Sequence, residues 1–361
     1  MRLLTVLSIL FLISCGSKPV VAVGRASTKY AKHFRIVEHK DFTELQIMQP
    51  ETGKLEKSYA LVHKEDKVEV PSGMTIIEVP VKSLAALSTT NIGMLAALEE
   101  LDCIKGTTDA TYIANAKVLR GIRSGKIASF TDEGSIRPEK LMSKKIGLIV
   151  YSGFGKDFTN ADKLEKLGVI CMANYEWREE HPLGKAEWIK VFGYLTDQPE
   201  KSFAYFDQVE KSYNETRTAI LQTGKEHPSV LAGSVIGGIW YAPAGESYIA
   251  RILEDAGADY LYKNEKGTGS CEKTFEKVYR DQQNADFWIN PDAVSLQDLI
   301  KKQEKYGLFS PVKKGHVYCY THNGNYFWEM SAVNPHWILS DYVSIFGIGK
   351  KSKLHFYKKL N

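Results

Sequence analysis

The run NYEWREEHPLGKAEWIKVFGYL, residues 174–195, sets the carboxylates of Glu176, Glu179, Glu180 and Glu187 among two tryptophans, a histidine and a Pro-Leu-Gly step. Glutamates at this density can act as general acids and bases, as charges that dock a partner, or as plain solvated surface. Glycoside cleavage would need two carboxyl groups about 5–10 Å apart, and Glu176 with Glu179 are the pair for that chemistry. They lie three residues apart in an expected loop, where a set separation is hard to keep. Other catalytic constellations are missing. The sequence has no G-x-x-x-x-G-K-[ST], no G-x-S-x-G and no H-E-x-x-H. Gly267-Thr268-Gly269-Ser270 suggests a dinucleotide loop, but Glu272 stands where its third glycine belongs. Nine histidines are scattered, and His316, His322 and His336 follow no metal-ligand spacing. No catalytic residue, cofactor or bare-metal site is expected. His181, next to Pro182, reads as a residue that shapes the turn or touches a ligand.

What the presumed loops carry is aromatic surface. Trp177, Trp240, Tyr241, Trp288, Tyr320, Tyr326, Phe327 and Trp328 fall at or just past predicted strand ends. Core burial is the standing alternative for any tryptophan, above all Trp188 and Trp288. Trp240-Tyr241 in GGIWYAPAG and Phe327-Trp328 in THNGNYFWE sit in Gly/Pro/Asn-rich context. Large rings on solvated loops need a partner, and a flat, rigid, partly apolar ligand would be one. Arg178 either pairs with a carboxylate or phosphate of that ligand or bridges to a neighbouring glutamate.

The elements that must hold these residues follow from periodicity. HFRIVEH, FTELQIM and KSYALVHK alternate as strands, and Pro50–Gly53 supplies a hairpin turn. Helix and strand then interleave. KKIGLIVYSG is a near-continuous apolar run of the kind found in buried parallel strands. Open α/β sheets bind ligands at the carboxyl ends of their strands, which selects Ser88, Thr89, Thr90, Tyr151, Ser152, Gly153 and Glu176. Residues 199–222 contain no glycine and no internal proline, and predict one helix of roughly 36 Å. A second α/β half follows. The fold class is α/β: two α/β lobes joined by a single long helix, with a ligand cleft between them.

The N-terminus, MRLLTVLSILFLISCGSKP, has one early positive charge and an apolar run too short to span a bilayer comfortably. Leu12-Ile13-Ser14-Cys15 resembles a bacterial lipobox, which implies that Cys15 is lipidated and tethers the protein to a membrane face. The expected division is a leader over 1–14, a tether over 15–30, a lobe over 31–197, a spine over 198–224 and a lobe over 225–361. Hydrophobic content of 43% and charged content of 25% are ordinary for a globular chain. A net charge of +4, with no Lys/Arg stripe interleaved with aromatics, argues against nucleic acid. Cys171 reads as a buried strand thiol, and Cys271 and Cys319 fall in the same half and could pair.

STTNIGMLAALEELDCIKGTT, EWREEHPLGKAEWIKVFGYL, YAPAGESYIARILEDAGADY and ADFWIN together resemble the substrate-binding proteins of ABC importers for cobalamin, ferric siderophores and haem. PLGKAEWIK is the most specific piece, and the early strand-rich segment matches least. The resemblance implies a monomeric, lipid-anchored periplasmic receptor that passes a metal chelate to a membrane permease. It implies an exposed docking glutamate on each lobe, Glu187 on the first and Glu246 on the second. For the ligand it implies a cleft of Ser88, Thr89, Thr90, Tyr151, Gly153, Glu176, Trp177, Arg178, Trp240, Tyr241, Tyr320, Tyr326 and Trp328. A corrinoid is favoured slightly, since a strongly anionic catecholate would ask for more arginines. An envelope hydrolase and a chelate hand-off protein without a permease are the alternatives.

Overall fold

Alternating apolar residues build the first sheet of the protein, seen in a computed structural model that describes residues 28–130, 136, 138–153 and 161–361. The leader and Cys15 lie outside the described residues. Strands β1 (Phe34–Glu38), β2 (Thr43–Met48), β3 (Leu55–His63) and β4 (Thr75–Val79) lie side by side in that order. β1, β2 and β3 pair antiparallel, while β4 joins β3 in parallel. The inward positions Phe34, Leu45, Ile47, Tyr59, Leu61 and Ile77 are buried, as the period of two requires.

Five parallel strands follow: β5 (Leu84–Ala86), β6 (Ile104–Thr107), β7 (Ala128–Ser129), β8 (Leu148–Ser152) and β9 (Ile170–Asn174). Their order is β7-β6-β5-β8-β9, so the winding reverses between β5 and β8. Helices α1 (Thr89–Ala97), α2 (Ala116–Arg123), α3 (Pro138–Ser143) and α4 (Ala161–Glu165) connect them. The segment 182–195 folds as α5 (Pro182–Glu187) and α6 (Ile189–Leu195). Helix α7 (Pro199–Leu221) then runs unbroken for 23 residues, starting on a proline at its first turn, where the missing N–H costs nothing.

The C-terminal half has its own sheet. Strands β10 (Ser229–Ala232), β13 (Asp259–Tyr260), β15 (Phe287–Ile289) and β16 (Val317–Cys319) are parallel, and the edge strand β17 (Lys358–Lys359) is antiparallel. The order β13-β10-β15-β16-β17 reverses between β10 and β15. A small antiparallel sheet of β11 (Ser234–Ile236), β12 (Ile239–Pro243) and β14 (Ser270–Lys273) stands beside it. The helices are α8 (Tyr248–Asp255), α9 (Phe275–Gln282), α10 (Leu296–Lys302), α11 (Ser310–Lys314), α12 (Gly324–Met330) and α13 (Pro335–Phe346). No described helix is long and apolar enough to cross a membrane.

The two lobes also touch beside the spine. The Glu329 carboxylate of α12 accepts from the N–H groups of Ala114 and Asn115 in the first lobe, each at 3.0 Å. Asn325 donates to the Thr111 carbonyl at 2.7 Å. From α7, Tyr213 and Arg217 both bond Asp255 of the second lobe.

Two glutamates of the opening stretch turn out to be frame. Glu179 is buried and accepts from the N–H groups of Lys32 and His33 and from Trp188 Nε1. Burial pushes its carboxyl up to about 7, against those three donors and with some help from the nearby Glu187. A carboxyl raised from its ordinary 4.5 binds its proton more tightly in the folded chain than in the unfolded one. This group's contribution to stability is therefore greatest at acid pH and falls as pH rises from about 4.5 to 7. Urea unfolding of the wild type at pH 5 and pH 8 should show that fall (on the order of the shift itself), and Glu179→Gln should flatten it. A slope that survives the substitution unchanged would refute the assignment.

The four described cysteines are free thiols, so Cys271 and Cys319 do not pair. The Cys319 thiol instead shares a hydrogen bond with Thr321 Oγ1 at 2.8 Å. Cys171 is buried in β9 as expected, and burial raises its pKa to about 12.

Candidate functional site

Both winding reversals open onto one cavity of about 940 Å³ between the lobes. A reversal leaves the loops after two adjacent strands diverging, and the gap between them is the crevice. From the first lobe come Ser88, Thr89 and Thr90, which follow β5, and Ser152 at the end of β8. From the second come Gly233, just past β10, and Asn290, just past β15. Ser88 caps α1, its side chain accepting from the Thr90 N–H at 3.3 Å. Ser247 caps α8 in the same way through Ala250. Both helix starts face the cavity.

The aromatic wall is selective about which rings it shows. Trp240-Tyr241 is expected on a loop but lies in β12, where neighbouring side chains point to opposite faces. Tyr241 lines the cavity. Trp240 is fully buried, stacks on Trp288 with centroids 5.2 Å apart, and donates its indole N–H to the Ala232 carbonyl. The expectation that Trp240 holds ligand is thus corrected by strand alternation. Phe327-Trp328 lies on α12, where Phe327 stacks on Tyr320 at 3.7 Å and Trp328 remains 46% exposed into the cavity. Tyr320, Trp177 and Tyr248 complete the ring set among the described residues. Burial holds the Tyr320 phenol well above its ordinary pKa, so it stays neutral.

Other expected contacts fall elsewhere. Tyr326 packs against Phe356 rather than lining the cavity. Tyr151 packs into the core, because in β8 it is Ser152 that has the cavity-facing parity. Gly153 serves close packing: a Cβ there would lie 1.9 Å from the Tyr175 ring. Arg178 bridges to Glu51 at 3.2 Å, the second of its two expected options. His181 shapes its turn, its Nδ1 accepting from the Leu183 N–H at the start of α5, and burial lowers its pKa to about 4.

Glu187 is the larger correction. It is fully buried, and its carboxylate accepts from the consecutive N–H groups of Lys29, Tyr30 and Ala31 and from Lys190 Nζ at 2.6 Å. A carboxylate enclosed in this way cannot be presented to a partner. Glu246 is exposed and accepts from the Gly267 N–H at 2.6 Å.

Among the described residues, the charged groups that line the cavity are Glu176, Lys185 and Asp292, with no arginine. Glu176 and Lys185 are 4% and 5% exposed and form an ion pair at 2.9 Å. The Lys185 ammonium also lies 4.2 Å from the ring centroid of Tyr248, across the lobe boundary. Burial disfavours the ammonium, but Glu176 and Tyr248 outweigh it and raise the pKa of Lys185. Sequence reading missed Lys185, Tyr248, Asn290 and Asp292. The strand-end rule that found Ser88 would have found Asn290-Pro291-Asp292 after FWI, whereas nothing local marks Lys185 as buried. Glu179 points away from this cavity, so the carboxylate pair needed for glycoside cleavage does not form. Among the described residues, no group of three or more His, Cys, Asp or Glu could hold a metal ion.

A two-lobed clamp with this topology has known counterparts. The chain resembles an uncharacterized lipoprotein of Methanocaldococcus jannaschii, with 24% identity covering 92% of this chain and 85% of the relative. In fold it is similar to the ABC-type Fe3+-hydroxamate transport system from Saccharomonospora viridis, at 19% identity, 75% and 95% coverage and a TM-score of 0.56. It is also similar to the periplasmic vitamin B12 binding protein of Vibrio cholerae, at 12% identity, 74% and 98% coverage and a TM-score of 0.55. The family model for periplasmic binding protein matches residues 84–323, from the first parallel strand to the loop after β16. The first sheet lies outside that match. With that match over more than half of its length, the chain belongs to the periplasmic binding protein family, and by that membership it is a binding protein rather than an enzyme.

Proposed function

We propose that this protein is the envelope receptor of an ABC importer, tethered through a lipid on Cys15, and that it captures a bulky metal chelate. The observation that carries this reading is the 940 Å³ cavity walled by Trp177, Tyr241, Tyr320 and Trp328, which lies at the upper end of ordinary ligand sites, roughly 300–1,000 Å³. Flat rings offer such a guest large contact area at small entropic cost. The fold shared with proteins that bind vitamin B12 and that belong to Fe3+-hydroxamate transport supports the chelate class. Glu176 and Lys185 cancel, leaving Asp292 as the net charge among the described lining residues. That balance disfavours a multiply anionic catecholate and the carboxylates of haem, which would bury charge without a partner. A corrinoid is the favoured guest, with a ferric hydroxamate next. On the permease side, Glu246 is the docking carboxylate in this reading, on the second lobe only.

Calorimetric titration with cyanocobalamin, a ferric hydroxamate, a ferric catecholate and haemin tests the assignment. Heat with none of the four would end it. Trp328→Ala should weaken binding of whichever chelate responds by about 1–3 kcal/mol, with little change in melting temperature because the ring is half exposed. Equal affinity in the variant would remove Trp328 from the site.

A further inference from the structure

We propose that the outer edge of the C-terminal lobe is a lysine-built surface for anionic lipid headgroups, so that the receptor lies against the bilayer as well as being tied to it. Apart from the N-terminal segment, whose first 37 residues hold six basic residues and no acid, the positive charge of the chain is concentrated there. Residues 311–361 hold seven of the 47 Lys+Arg and two of the 43 Asp+Glu, a net +5, which leaves −1 for the other 310 residues. Both of those acids, Glu329 and Asp341, are buried. All seven basic residues are exposed lysines: Lys313, Lys314, Lys350, Lys351, Lys353 and the pair 358–359. Among the described residues, the only ion pair in the stretch is His355 with Asp341.

The fold brings the lysines to one edge. After α13 the chain turns back along that helix, with Ser352 bonded to Ser344 and Ser340. Asp341 then fixes it by accepting from the N–H groups of His355, Phe356 and Tyr357. It ends in β17, the edge strand, where Lys359 reaches beside Gly315 and so next to Lys313–Lys314 at the end of α11. Lys225 joins from the end of α7, bonding the Gly347 carbonyl. Lysines on an edge strand also guard against sheet-to-sheet pairing, but that accounts for two of the seven.

Charge without an apolar centre selects the partner. Phe356, Tyr357 and Leu360 beside the lysines are buried, and Leu354 is half-buried against the core. A protein interface would want an apolar core, and single-stranded nucleic acid would want exposed rings to stack on. A headgroup layer asks only for several cations within a Debye length. Lysine suits it as a point charge that needs no fixed geometry. The inference uses the envelope reading only to put a bilayer within reach.

The test is sedimentation of the full chain carrying C15S with vesicles of phosphatidylcholine alone and of phosphatidylcholine mixed with phosphatidylglycerol. The N-terminal segment, with Arg2, Lys18 and Arg25, adds the same anionic preference to every variant, so the difference between variants reports the edge. The C15S chain should partition about 10-fold or more better onto the anionic vesicles, and lose that preference as salt is raised. Adding K350E, K351E, K353E, K358E and K359E should remove most of the preference, and the five glutamine replacements should reduce it. Chelate titration, which does not involve this edge, should be unchanged in both. Equal partitioning onto the two vesicles, or a preference undiminished by the charge reversal, would overturn the proposal while leaving the receptor reading intact. If the reversed variant fails to fold, the glutamine series decides.

Discussion

Glu187→Ala is expected to destabilise the fold by about 3–5 kcal/mol, because it removes the carboxylate paired with a buried cation. Lys190 is 2% exposed, and its ammonium lies between the rings of Phe203 and Phe206, 4.6 and 4.5 Å from their centroids. In the wild type its charge is met by Glu187 at 2.6 Å. The same carboxylate collects three successive N–H groups at 29–31, so the substitution also frees the segment by which the chain enters the first lobe. Exchanging both partners for apolar residues of similar volume should recover much of the loss, since the pair itself is no net gain over good packing. Chemical denaturation of Glu187→Ala and of the double variant Glu187→Leu/Lys190→Met measures both. A single variant as stable as the wild type would mean that the pair is not enclosed. A pure docking residue would instead leave stability untouched and stop uptake alone.

Gly93→Ala should have the second large effect, on lobe geometry. Glycine inside a helix costs about 1 kcal/mol relative to alanine, and it stands at the middle of α1 where α12 crosses. A Cβ there would lie 1.7 Å from the Glu329 carbonyl oxygen. The obstacle is backbone, so no rotamer change relieves it. Either the lobes part or the helices strain, at a cost of about 3 kcal/mol, the top of the usual overpacking range. Parting would also break the Glu329 bonds to Ala114 and Asn115. Small-angle scattering should show a larger radius of gyration, and chelate affinity should fall with the cleft deformed. A variant with unchanged scattering and unchanged melting temperature would show that α1 and α12 are not held together in solution.

Much of the fold was legible because it is written in local periods. Alternation marks β1 to β3, the apolar run marks β8, and the uninterrupted helical spacing over 199–222 marks α7. The strand-end rule found Ser88 to Thr90 and Ser152 for the same reason: a parallel strand and its loop are neighbours in sequence. The aromatic pairs were half legible. Their ring content marked the cleft, but GGIWYAPAG looks like a loop, and only its pairing with β11 and β14 makes it a strand that sends Trp240 inward. Glu187 was misread because the resemblance implied an exposed docking carboxylate at that place. Its enclosing partners lie 156 to 158 residues away in the chain, beyond the reach of any window.

The sequence by itself determined the class of the protein: the α/β alternation, the stiff spine, the aromatic content and the want of catalytic motifs all depend on residues close together in the chain. Tertiary structure alone decided which charges are buried. Glu179, Glu187, Lys185 and Glu329 owe their roles to distant backbone N–H groups and rings that shut out water, and solvation is a property of the assembled neighbourhood rather than of a side chain.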